Sequence, residues 1–221
     1  MDTILNKLTR CIEFGKTDKA AAWPPDMKDQ DGADELALRA LEEGHPPDQI
    51  LDALIAGMEV VGRKFSENKI FVPQMLMSAK AMKAAMTHLK PAFESGAAKR
   101  KGTFVIGTVQ GDLHDIGKNI VAMYIEGSGY EVVDLGVDVK PEQFLVEIDK
   151  HPGCVVGLSA LLTTTMINMK RTVDVIRDSH PKQVICVGGA PVSEKFCREI
   201  SADFYSPDPQ GAVAFLNRLA S

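Results

Sequence analysis

The segment Gly111-Asp112-Leu113-His114-Asp115-Ile116-Gly117-Lys118-Asn119 carries the most reactive side chains in the sequence. A neutral imidazole binds cobalt, zinc, iron or copper through one ring nitrogen, while a carboxylate on the other nitrogen fixes the tautomer and tunes the basicity of the ligand. Asp112, two residues before His114, has the reach for that second bond. Gly117, three residues after it, lets the backbone come close to a bulky ligand beside the metal. Taken alone, Asp-x-His leaves a second reading open, because Asp between a strand and a helix is often an N-cap and a single His is often a surface or packed residue.

Two further segments have chemical potential. SALLTTT offers Ser159, Thr163 and Thr165 beside Leu161, and GGAPVS offers Gly188 and Gly189. Hydroxyls are favoured at strand ends and helix starts on capping grounds alone. A Gly-Gly pair leaves space for a ligand, although it is also a common turn after a strand.

The surrounding pattern says how these loops are held. TFVIGTV, EVVDLGV, CVVGLSA, QVICVGG and ADFY are short apolar runs rich in β-branched residues, separated by helical patterns. Strands alternating with helices predict an α/β domain with a doubly wound, parallel, five-stranded sheet. Right-handed crossovers then bring the loops after the strands to one sheet edge, where ligands bind at the point of strand-order reversal. All three segments follow a predicted strand.

Before residue 93 the periodicity is helical. Ile4 to Phe14 is a short amphipathic stretch, and the polar, Pro-bearing segment Ala22 to Gly32 follows it. Helices are expected from Ala33 to Glu43, from about Pro47 to Phe65, and from Val72 to about Phe93. The last carries Met75, Leu76, Ala79, Met82, Met86 and Leu89, a spacing suited to antiparallel packing. The expected organisation is a four-helix bundle over residues 1–93, a linker over 94–102 with small and basic residues, and the α/β domain over 103–221.

Composition removes several classes. Of 221 residues, 25 are Lys or Arg and 30 are Asp or Glu, a net charge of −5 that is no nucleic-acid footprint. No long apolar window predicts a membrane span. Cys11, Cys154, Cys186 and Cys197 have neither zinc-site nor disulfide spacing, which points to a reducing compartment and so to the cytoplasm. Ten Met against one Trp is the oddity, since Met is adaptable and is used both in cores and at pliable surfaces.

GDLHDIGKNI resembles the cobalamin-binding signature shared by the corrinoid module of methionine synthase and the small corrinoid proteins of methyltransferase systems. GLSALLTTTM and ICVGGAPVS agree with it in order and distance. LEEGHPPDQILDALIAGMEVVGRKF and FVPQMLMSAKAMKAAM are similar to the helical cap of the same proteins, so that only the first 30 residues are particular to this chain. The resemblance implies a corrinoid, or cobalamin, whose nucleotide tail leaves the cobalt and enters a slot in the α/β domain. It implies His114 as the protein ligand to the metal, with Asp112 on the other ring nitrogen and Thr165 continuing the relay. Leu113, Asp115, Ile116 and Gly117 would contact the cofactor beside it. Ser159, Leu161 and Thr163 would line the slot, with Gly188 and Gly189 leaving it open and Tyr205 at its lower end. Phe71 and Met75, with Met82 and Met86, would cover the upper face of the corrin, or the Met residues simply pack the bundle.

The implied function is a methyl carrier, a component with no catalytic residue of its own. It takes a methyl group on Co(I) from a substrate-specific methyltransferase and gives it to a second methyltransferase whose acceptor is a tetrahydrofolate or a thiol, and a reductive activating protein restores it after oxidation. The methyl donor is left open among methanol, methylamines, methoxylated aromatics and betaines. A cobalamin-dependent sensor or transcription regulator is the alternative of a different class, but it needs a basic recognition helix that the chain lacks. A metal-dependent hydrolase or phosphotransfer domain using Asp112, His114 and Asp115 is a third, and it needs ligands that His45, His88, His151 and His180 are poorly placed to give.

Overall fold

The computed structural model describes residues 3–96 and 98–220. The chain forms two compact units: one runs to Arg100 and takes in Glu126–Gly129, and the other holds Lys101–Ile125 and the residues from Tyr130 onward.

The first unit is helical, with α1 (Ile4–Phe14), α2 (Ala33–Glu42), α3 (Pro47–Ser66) and α4 (Val72–Glu94). Local chemistry sets the ends. The Thr3 hydroxyl accepts the Asn6 N–H at 3.2 Å to start α1, and Gly15, at φ 73°, closes it in the left-handed conformation. Pro47 begins α3, where its missing N–H has no helical partner to lose. Leu8, Ile12, Ile50, Leu54, Met58, Met82 and Leu89 are fully buried along the facing stripes. Residues 24–31 hold a single turn of 3-10 helix, Pro25–Met27, inside the polar segment.

The second unit is built on β1 (Thr103–Thr108), β2 (Glu131–Asp134), β3 (Val155–Ser159), β4 (Val184–Gly188) and β5 (Phe204–Tyr205). All neighbours are parallel, in the order β2-β1-β3-β4-β5. Helices α5 (Ile116–Gly127), α6 (Pro141–Lys150), α7 (Met166–Ser179), α8 (Glu194–Glu199) and α9 (Pro209–Ala220) alternate with the strands. This is the doubly wound five-stranded sheet expected from the apolar runs. Val105, Val156, Leu158, Ile185 and Val187 are buried in the strands and pack with Phe144, Ile148, Met169, Val173 and Ile176 from the helices. Covered on both faces, the strands need no alternation of polar residues.

Two topological facts position the site. The order reverses between β1 and β3, which opens a crevice after those strands. The register sets Thr108 opposite Ser159 and Ser159 opposite Gly188, so the loops after β1, β3 and β4 leave the sheet at one level. His151 and His180 follow the C-termini of α6 and α7, at the opposite edge. Among the described residues, no helix is long and apolar enough to cross a membrane.

Candidate functional site

The loop after β1 is stitched in place before it presents any chemistry. The Val109 N–H donates to the Ser159 carbonyl at 3.0 Å, and the Asp112 N–H donates to the Val109 carbonyl at 3.1 Å, a tight turn. The Gly111 N–H donates to Asp138 Oδ1 at 2.7 Å, and the Asp138 N–H donates to the Asp112 carbonyl at 3.0 Å. Asn168, on α7, donates through Nδ2 to the Gln110 carbonyl at 2.8 Å. The buried Thr108 hydroxyl donates to the His114 carbonyl at 2.9 Å.

Asp112 is the fully buried centre of this arrangement. Its Oδ1 accepts the His114 backbone N–H at 3.1 Å and lies 2.7 Å from His114 Nδ1. Its Oδ2 accepts the Thr165 hydroxyl at 2.7 Å and the N–H groups of Leu161 and Leu162 at 2.8 and 3.2 Å. Burial pushes the carboxyl up, but the bonds from Thr165, His114 and the backbone of Leu161 and His114 outweigh it and hold it well below the usual carboxylate range. An ionised carboxylate only accepts, so the proton of the bond to His114 sits on Nδ1. Nε2 is then the ring nitrogen directed away from Asp112, on a side chain that is half exposed.

The environment of that nitrogen tests whether a corrinoid fits. Among the described residues, no group of three or more His, Cys, Asp or Glu side chains could hold a metal ion. The donor set therefore suits a metal that brings most of its ligands with it, as a corrin ring does, and takes one imidazole from the protein. Leu113, Ile116, Leu161, Leu162 and Ile167 are all exposed beside the site, with Leu113 at 72% and Ile116 at 77%. Large apolar side chains left exposed on the loops after β1 and β3 and on the helix starts that follow them suit a broad, largely apolar ligand. The residues present fit the group.

The other expected residues take varied places. Ser159 ends β3 half-buried, Thr163 is exposed on the 3-10 turn Thr163–Thr165, and Thr165 is buried against Asp112 as the relay requires. Leu161 contributes its backbone N–H as well as its side chain. Gly188 is open, since an added Cβ would meet only the Ser206 carbonyl oxygen at 3.7 Å. Gly189, at φ +126°, has its Cβ position 1.8 Å from the Ala160 carbonyl oxygen, so the backbones of the two loops touch there. Asp115 accepts Asn119 Nδ2 at 3.0 Å through Oδ2 and starts α5. Tyr205 is half-buried against the sheet core. In the first unit Phe71 is 64% exposed at the start of α4, whereas Met75 is 1% exposed and Met82 and Met86 are also buried. Their three-four spacing turns all three Met side chains inward, while Phe71 precedes the helix and escapes that constraint. No spacing in the sequence marks Thr108, Asp138 or the N–H of Leu162 as part of this loop's support. Asp138 had a signal, as an Asp in the loop after β2, but nothing in its spacing named Gly111 as its partner.

Gly117 lies in the first turn of α5 with nothing within 4 Å of its Cβ position. Gly117→Ala is expected to raise the stability of the ligand-free chain by up to about 1 kcal/mol, because Ala is the better helix former. The same variant is expected to bind cobalamin more weakly, and a cobalamin titration beside a thermal melt checks both.

A doubly wound sheet that presents a carboxylate-held histidine at its switch point, on loops that leave large apolar side chains exposed, is the arrangement a cobalamin-binding domain needs. Family profiles described as B12 binding domain match residues 102–213 and residues 28–90. The chain is 38% identical over 191 residues to trimethylamine corrinoid protein 2 of Methanosarcina mazei, covering 84% of this chain and 88% of that one. It is 36% identical over 197 residues to a corrinoid protein of Desulfitobacterium hafniense, covering 86% and 91%. The methanol:cobalamin methyltransferase complex of Methanosarcina barkeri superposes with a TM-score of 0.81 at 33% identity, covering 98% of this chain and 79% of that chain. The chain belongs to the family of cobalamin-binding corrinoid proteins of methyltransferase systems, and its cofactor is a corrinoid.

Proposed function

We propose that this chain is a methyl carrier. A substrate-specific methyltransferase loads it, a second methyltransferase unloads it to a tetrahydrofolate or a thiol, and a reductive activating protein rescues it after oxidation. The observation that carries the reading is the His114 imidazole, held through Nδ1 by a buried, ionised Asp112 with Nε2 directed away from it. The relatives named for trimethylamine and the complex named for methanol support a partner that demethylates a small donor. Its thiols, all free among the described residues, suit a reducing cytoplasm.

The residues divide the work. When bound, the corrinoid supplies a cobalt that takes up and gives up a methyl group. His114 would hold that metal through Nε2, the ring nitrogen that Asp112 leaves free. Asp112 keeps the proton on Nδ1 and fixes the ring plane, and Thr165 with the N–H groups of Leu161 and Leu162 keeps Asp112 ionised. Leu113, Ile116 and Leu161 would exclude water from the imidazole once the cofactor covers them. Ser159 and Gly188, paired in the register of β3 and β4, would line the slot for the nucleotide tail with Thr163, while Gly189 lets the loops after β3 and β4 meet beside it.

The test is to load the full chain with cobalamin and compare it with His114→Gln. The wild-type Co(II) state is expected to show one axial protein nitrogen by electron paramagnetic resonance, and the variant none. The loaded, reduced wild type is then expected to retain labelled methyl groups when a methyltransferase and its donor, a methylamine, methanol or a betaine, are supplied. Identical spectra for the two proteins would remove His114 as the ligand, and no retained label with any donor would remove the carrier reading.

A further inference from the structure

Lys118 is a lysine taken almost wholly out of water, 3% exposed in the first turn of α5, and the His114–Asp112–Thr165 relay does not include it. Removing an ammonium from water is costly, so a buried one is retained where its bonds hold something. Its Nζ donates to Asp134 Oδ1 at 2.6 Å and to Asn119 Oδ1 at 2.7 Å. These two partners lead to the same loop from opposite sides. On the helix side, Asn119 donates its N–H to the Asp115 carbonyl at 2.7 Å and its Nδ2 to Asp115 Oδ2 at 3.0 Å. On the strand side, Asp134 Oδ1 accepts the Gly136 N–H at 2.9 Å. The Gly136 carbonyl accepts the Thr108 N–H at 3.0 Å, and the Thr108 hydroxyl donates to the His114 carbonyl at 2.9 Å.

We propose that Lys118 is a positioning residue for His114: its buried ammonium ties the first turn of α5 to the turn after β2, and so fixes both supports of the loop that carries the imidazole. The inference rests on the reading of His114 as the metal ligand. Such a residue does not touch the cofactor's metal; it decides how completely the imidazole is in place when the cofactor arrives.

Lys118→Met tests this with little risk to the fold. Met fills a similar unbranched volume, and Asp134 is 37% exposed, so its carboxylate turns to water and no buried charge is stranded. Asn119→Ala cuts the helix-side arm while leaving the Lys118–Asp134 ion pair in place, and is read in the same way should the first variant fold poorly. Each full-length protein is saturated with cobalamin, reduced to Co(II), and examined for the axial nitrogen by electron paramagnetic resonance, with wild type and His114→Gln as the two references. Expected are an affinity about ten-fold weaker and, at saturation, a spectrum mixing ligated and unligated cobalt. A fully ligated spectrum at saturation overturns the proposal even if affinity or melting temperature falls, because a merely structural role would do that. If wild type and His114→Gln give the same spectrum, the ligand reading itself fails; if they differ and Lys118→Met matches wild type, only the role of Lys118 does.

Discussion

Asp112→Asn is expected to lower the unfolding free energy at neutral pH by about 2–5 kcal/mol. Every group facing this carboxylate is a donor: two N–H groups from His114, those of Leu161 and Leu162, and the Thr165 hydroxyl. A carboxamide offers one oxygen to that ring and points two hydrogens at donors, so at least one buried N–H or O–H loses its acceptor. The loss carries a pH signature. The carboxyl titrates in the folded chain below its ordinary value of 3.8, so the unfolded chain binds more protons as the pH drops below that value. The stabilisation is therefore complete above that range and is lost as the pH falls from 3.8 toward the depressed folded value. Asn has no such proton. The gap between wild type and variant should thus shrink by up to about 1.4 kcal/mol for each pH unit below that point. Urea unfolding across an acid series measures it, and a gap that stays constant down to about pH 2 would refute the assignment.

Gly189→Ala is expected to cost about 3–5 kcal/mol, enough to leave much of the chain unfolded or loosely packed. The added Cβ would lie 1.8 Å from the Ala160 carbonyl oxygen and 2.9 Å from its carbon, both backbone atoms that no rotamer change can move. The residue also sits at φ +126°, where L side chains are strained. Relief requires parting the loops after β3 and β4, which sacrifices the bond from the Ala160 N–H to the Gly188 carbonyl. Gly188→Ala is the matched control, because its Cβ would find only an ordinary contact at 3.7 Å. The pair separates a glycine required by the fold from one that leaves room beside it. Thermal melts of both variants decide the matter, and a Gly189→Ala melt equal to wild type would contradict the geometry.

How far the sequence could be read depended on the range of the interactions. The strands were legible because parallel strands covered on both faces are written as unbroken β-branched runs, and VVGLS and VICVG need no partner to be recognised. Helix ends were legible where a residue type marks them locally, as at Pro47, where α3 begins. The pairing of Asp112 with His114 is also local, two residues apart. The donors that make Asp112 an anion are not: they come from Leu161, Leu162 and Thr165, about fifty positions away, and meet it only because β1 and β3 are neighbours. Lys118 was invisible for a related reason, since its partner Asp134 lies 16 positions on, at the end of the strand that follows α5. Met75 shows the reverse case. Its spacing marks one face of a helix, but periodicity states that a face exists and not whether it meets a ligand or the interior.

The four cysteines gain a meaning from where they lie. Cys11, Cys154, Cys186 and Cys197 are all free and buried. Burial pushes the Cys11 thiol up to about 11 and raises the other three as well. Only a thiolate attacks an electrophilic carbon readily. In the proposed role of methyl carrier, thiols that are protonated and out of reach do not trap the cargo as a thioether on the chain itself.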